Sequence, residues 1–82
     1  MHDVVWQPSA TDDLAAVCVD HHDQWAQIAI AEIEITNKLQ RDPFKYGKHL
    51  SEGLWRIIAS PIIVFFVVDG DRIKVDSVGW VG

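Results

Sequence analysis

Lys45, Tyr46, Lys48 and His49 fall within five consecutive positions, and Arg56 follows His49 by seven. Lysine and arginine hold phosphate or carboxylate, a tyrosine ring stacks on a base, and a histidine moves protons near neutral pH. Lys45, Tyr46 and Lys48 are therefore the candidates for binding an anionic target. His49 and Arg56 are the candidates for any catalytic step. The same residue types also compose ordinary exposed loops, and pairing of Arg56 with Glu32 beneath a sheet would make that arginine structural. Elsewhere the chemistry is thinner. His21-His22-Asp23 contains ligand-type side chains, but neighbours on a helix diverge and no matching pair occurs, so a polar helix junction is expected and no metal site. Cys18, the single cysteine, stands at helical spacing from Leu14 and His21 and reads as a small buried hydrophobe. No glycine-rich phosphate loop or nucleophile elbow occurs, and no cofactor is expected.

Residues 1–82 are enough for one domain and one core. A lone cysteine forms no internal disulfide, which points to a reducing compartment. Met1-His2-Asp3 does not open a signal peptide. The longest apolar run, Ile57 to Val68, is broken by Ser60-Pro61 and rich in β-branched residues, unlike a membrane helix. A soluble, cytoplasmic protein is expected, with no membrane partner. The net charge of −5 is unevenly spread. Residues 1–37 hold seven acidic and no basic side chains, whereas residues 38–56 hold five basic and two acidic ones. A general nucleic-acid binder would be basic throughout, so only a local basic patch remains in play.

The elements that must position these residues follow from period and punctuation. Val4-Val5-Trp6 before Gln7-Pro8 predicts a first strand. Ser9 or Thr11 is expected to cap a helix with Asp12 and Asp13 near its start and Leu14, Val17 and Cys18 on its apolar face. A second helix is expected from about Gln24 to Gln40, with Trp25, Ile28, Ala31, Ile35 and Leu39 as its core stripe. Ile30 and Ile33 extend its apolar arc past that stripe, which suggests a protein partner. After Pro43 the period changes to strands. Ile62 to Val68 is apolar at every position and is expected to be a central strand covered on both faces. Asp69-Gly70 marks a hairpin turn, and the phase slip beyond Asp76 predicts a bulge. Trp80 and Val81 are expected as unpaired apolar surface. The order reads β-α-α-β-β-β, an α+β domain with two N-terminal helices packed on one antiparallel sheet.

Together with that order, several segments resemble a short, plasmid-stabilisation-like subgroup of the RelE/ParE-type toxins of type II toxin–antitoxin systems. Val5-Trp6-Gln7-Pro8-Ser9-Ala10 is similar to the family's opening, ITNKLQRDP (Ile35 to Pro43) to its helix end and loop, and GLWRI to its second strand. Ser60-Pro61 ahead of the run Ile62 to Asp69 resembles the third strand of that subgroup. The resemblance implies a RelE/ParE-like fold and a cognate antitoxin or a homodimer as partner. It also implies a target that is either ribosome-bound mRNA or DNA gyrase. In ribonuclease members, basic residues on the sheet and near the C-terminus hold the scissile phosphate. Position by position, Arg56 matches one of them, while Ile58, Ile62 and Trp80 or Val81 stand where others are expected. The resemblance therefore implies a toxin-like protein without the usual cleavage residues, or a non-catalytic relative that works by protein interaction.

Overall fold

The computed structural model describes all 82 residues. Strand β1 (Asp3–Trp6) leads into helix α1 (Pro8–Asp20), a 3-10 turn (His22–Gln24) and helix α2 (Trp25–Arg41). A one-turn helix α3 (Pro43–Tyr46) precedes strands β2 (Lys48–Ser51), β3 (Leu54–Ala59), β4 (Ile62–Asp69) and β5 (Arg72–Trp80). The sheet order is β1-β5-β4-β3-β2, with β4 central. The α+β class and the helices packed on a sheet agree with the sequence reading. Two details correct that reading. Lys48–Ser51, expected within a loop, forms a fifth, edge strand, and β1 pairs parallel with β5, so the sheet is mixed and not antiparallel throughout.

The segment after Asp42, expected as loop, is shaped by local chemistry. Pro43 suits a first helical position, and the Asp42 carboxylate accepts the Lys45 N–H at 3.1 Å. Gly47 then lets the chain pass close to the core. A Cβ there would lie 2.6 Å from both the Pro43 carbonyl oxygen and Phe66 Cζ. Two tight turns join the next strands. Glu52 and Gly53 both take positive φ between β2 and β3, and Gly70 does so between β4 and β5.

Neither Ser9 nor Thr11 caps α1, contrary to expectation. The helix starts earlier than either would allow, at Pro8 behind Gln7. The Ser9 hydroxyl instead donates to the Asp76 carbonyl at 2.8 Å, and Asp13 accepts the Val78 N–H at 3.1 Å. Asp76 is the extra residue of the expected bulge: Phe65 faces Ser77 while Phe66 faces Val75. Helix α1 therefore grips both sides of the irregularity in β5.

One core lies between the helices and one face of the sheet. Ile28, Ala31, Ile35 and Leu39 of α2 are buried there as the period predicts, with Ala10 and Val17 of α1 and Ile62, Val64 and Phe66 of β4. Two expectations fail. Trp25 is 65% exposed. At about 100° per residue it lies roughly 75° from the centre of the stripe that packs. The opposite face of β4, carrying Ile63, Phe65 and Val67, is only half-buried. Both long helices pack on the same side, so no element is left to cover the other.

Candidate functional site

Alternation along the strands decides which face each candidate residue occupies. Phe66, Val64 and Ile62 point to the helices, so Val67, Phe65 and Ile63 point away from them. Cross-strand partners share a face. Leu54 lies opposite Val67, Arg56 opposite Phe65, and Ile58 opposite Ile63. Lys48 lies opposite Arg56 from the other side. The open face thus carries an apolar stripe of Leu54, Val67, Phe65, Ile58 and Ile63, with a Lys48–Arg56 pair at its β2 side. Lys74 faces Val67 from β5 and holds Asp69 at 3.4 Å.

The Lys48–Arg56 pair is electrostatically unusual. Two cations directly opposite on adjacent strands repel. No carboxylate neutralises either: the ion pairs of the chain are Lys38–Glu34 and Lys74–Asp69. In particular, Arg56 makes no ion pair with Glu32. An anion seated between Lys48 and Arg56 would relieve the repulsion and gain charge-assisted hydrogen bonds from the guanidinium.

The other candidates lie elsewhere. His49 faces the helix side, opposite Trp55, with ring centroids 5.1 Å apart at 62°. Tyr46 packs against the core, and its ring lies 5.5 Å from Lys38 Nζ and 5.4 Å from Lys45 Nζ. Lys45 and Lys48 therefore serve different sides of the sheet, and His49 and Arg56 are not brought together. Consecutive residues of a strand point in opposite directions, so Lys48 and His49 could not share a site once this segment became β2. Ile62 is fully buried on the helix side. The outward position nearest to it is Ile63, which is also apolar.

Of the candidates for partner contact, Ile30 and Ile33 are 67% and 60% exposed on the outer side of α2. Val81 is 47% exposed, though its N–H donates to the Pro61 carbonyl. Trp80 is not the unpaired surface expected of it. Its ring stacks on His21 at 3.5 Å and 3°, and it packs against the core beside Ile62. That stack also accounts for one residue of the His21-His22-Asp23 cluster. Phe65, Val67 and Ile63 are the open-face residues that the sequence reading missed. The signal was available in the expected element order, because two helices on one side leave no element to cover the other face of the sheet.

Comparison with solved structures places this arrangement among known folds. The chain is similar to a chain of the toxin–antitoxin complex RelBE2 from Mycobacterium tuberculosis, with a TM-score of 0.67 and 17% identity over 96% of each chain. It is also similar to a chain of the chromosomal ParDE toxin–antitoxin system from P. aeruginosa, with a TM-score of 0.73 and 21% identity over 100% of this chain and 98% of that one. A chain of the YoeB–YefM complex from Staphylococcus aureus matches with a TM-score of 0.63 and 15% identity over 98% of this chain and 97% of that one. No family model and no curated protein matches the sequence. The chain has the RelE/ParE-type toxin fold. None of its helices is long and apolar enough to cross a membrane.

Proposed function

We propose that this protein is the toxin-like component of a type II toxin–antitoxin pair, acting in the cytoplasm, and that the open face of its sheet receives the cognate antitoxin. The observation that carries the reading is the uncovered stripe of Leu54, Phe65, Val67, Ile58 and Ile63 beside the unneutralised Lys48–Arg56 pair. An antitoxin segment with alternating apolar and acidic residues would cover the stripe and neutralise the pair. Each large apolar side chain moved fully out of water contributes about 1.5–3 kcal/mol. Four of these five are already half-buried, so the stripe contributes part of that, and neutralising the Lys48–Arg56 pair adds to it. The fold it shares with chains of three toxin–antitoxin complexes supports the same reading.

The protein lacks efficient ribosome-dependent mRNA cleavage in this proposal. A positioned general acid or base contributes about 10²–10⁴-fold, and a lost transition-state contact removes about 2.7–4 kcal/mol. Arg56 stands on the open face without a histidine, and Ile58 and Ile63 fill neighbouring positions. A toxin of this kind would act by contact, on DNA gyrase or on the ribosome. The second reading, a non-catalytic interaction module without toxicity, is favoured by the separation of His49 from Arg56.

Co-expression with the product of the neighbouring reading frame tests the proposal. Copurification that is weakened at least tenfold by Arg56→Glu or by Phe65→Ser supports it. Failure of the wild-type protein to retain that product overturns it. Growth arrest on expression alone separates the toxin-like reading from the silent module. Efficient mRNA cleavage in a purified translation reaction would refute the claim about activity.

A further inference from the structure

The outer side of α2 has a pattern that neither the core nor the open sheet face uses. Ala26, Ile30, Ile33 and Asn37 recur at spacings of four, three and four, the repeat of a helix–helix seam. At 100° per residue they point away from the buried stripe of Ile28, Ala31, Ile35 and Leu39. Ile30 and Ile33 are among the most exposed large apolar side chains of the protein. With Glu34, Asn37, Lys38 and Arg41 they line a shallow groove along the helix.

Charge along the same helix says what fits this groove. Asp23, in the 3-10 turn just before α2, is exposed and has no ion-pair partner, and the same holds for Arg41 at the far end. Lys38 is already held by Glu34 at 2.9 Å. The acidic and basic ends are thus separated by the length of the helix and cannot meet within one chain. A second copy lying antiparallel on the first would bring them together. Ile30 would face Ile33 of the second copy, Ala26 would face its Asn37, and Arg41 would face its Asp23. The first two pairs centre between Ala31 and Glu32 and the third on Glu32, close enough for long side chains, so one two-fold axis satisfies all three. A parallel arrangement would instead set Arg41 against Arg41 and Asp23 against Asp23.

We infer that the outer face of α2 is a self-association surface and that two copies pair antiparallel through Ile30 and Ile33. A seam between two helices of about 25 Å is small, below the roughly 1,200 Å² of stable interfaces, so the dimer forms in the micromolar range and exchanges quickly. The surface lies apart from the open sheet face, so its failure and the failure of the proposed function are separable.

Sedimentation velocity of the full chain across a concentration series is the test. The wild-type protein is expected to move from monomer to dimer with rising concentration. Ile33→Glu, on an exposed position where folding is unaffected, abolishes the shift. Arg41→Glu and Asp23→Lys each weaken association about tenfold by placing like charges together twice per dimer. An equimolar mixture of those two variants regains the dimer. In the mixed pair one end joins the two introduced side chains, which are opposite in charge, and the other end joins the native Asp23 to the native Arg41. Far-ultraviolet circular dichroism confirms that every variant is folded. A wild-type monomer at several hundred micromolar overturns the inference, as does a dimer indifferent to Ile33→Glu. So does a mixture that stays monomeric. Loss of the neighbouring gene product on Ile33→Glu in a chain that never dimerises would assign the groove to that product instead, and also overturns it.

Discussion

Removing the carboxylate of Asp13 should loosen the last strand more than its place on a surface helix suggests. Asp13 Oδ2 accepts the Val78 N–H at 3.1 Å in a half-buried setting, where the bulge at Asp76 interrupts the regular ladder. A hydrogen bond to a charged acceptor contributes about 1.5–3 kcal/mol, and deleting it leaves a partly buried N–H without a partner. We expect Asp13→Ala to cost about 1.5–2 kcal/mol, the lower half of that range because water reaches the site. For a domain of this size that lowers Tm by about 6–16 °C. Asp13→Asn keeps an uncharged acceptor and should cost about half as much. Ser9→Ala removes the exposed bond to the Asp76 carbonyl and should cost about 0.5–1.5 kcal/mol. Both side chains grip the same irregularity, so the double variant should cost less than the sum by about 0.5 kcal/mol or more. Urea denaturation followed by tryptophan fluorescence compares all four variants with wild type, with Trp6, paired with Val75, reporting from beside the bulge. The reasoning is refuted if Asp13→Ala stays within about 0.5 kcal/mol of wild type, or if the two losses add.

Gly47→Ala should destabilise by about 1–3 kcal/mol, because its Cβ meets a backbone oxygen as well as the Phe66 ring at 2.6 Å. Trimming Phe66 to Leu in the same chain relieves only half of the conflict, and thermal denaturation of single and double variants will show whether any rescue is partial. Glu52→Asn should raise stability by about 0.4–1 kcal/mol, since Glu52 has φ of +31° in a two-residue turn that favours Asn-Gly; an unchanged or lower midpoint would contradict this. Phe66→Ala should remove about 3–5 kcal/mol, a large share of the stability of an 82-residue chain, and circular dichroism should find it largely unfolded near 37 °C.

The elements whose interactions are local were legible in the sequence. The stripe of Ile28, Ala31, Ile35 and Leu39, the central strand from Ile62, and the phase slip at Asp76 all follow from period, and each appears as expected. What escaped depends on partners distant in the chain. Ser9 has the right type to cap a helix, but it bonds to a carbonyl 67 positions away. The fully apolar run of β4 reads as doubly covered, yet only the placement of both helices on one side reveals that Phe65 and Val67 are left half-buried. The candidate site was legible as residue types and not as geometry. Lys48 and Arg56 became a pair only through the register of β2 with β3, and the same register sent His49 to the opposite face.

The parallel pairing of the first strand with the last also dictates an order of events. Asp3 faces Arg72 and Trp6 faces Val75, so β1 has no neighbour until β5, about 70 residues later, has been synthesised. At about 5–20 residues per second, Val4, Val5 and Trp6 wait several seconds on the ribosome without a strand to pair with. The β3–β4 and β4–β5 hairpins close short loops and form first, whereas closing about 70 residues costs roughly 4 kcal/mol of chain entropy. The Asp3 and Gln7 amides, which donate to the Asp71 and Val75 carbonyls, should therefore gain protection last in pulse-labelled hydrogen exchange during refolding. Protection there ahead of the β3–β4 hairpin would reverse that order. Until β1 docks, one edge of β5 stays open, and any chaperone or partner that engages the nascent chain meets a four-stranded sheet.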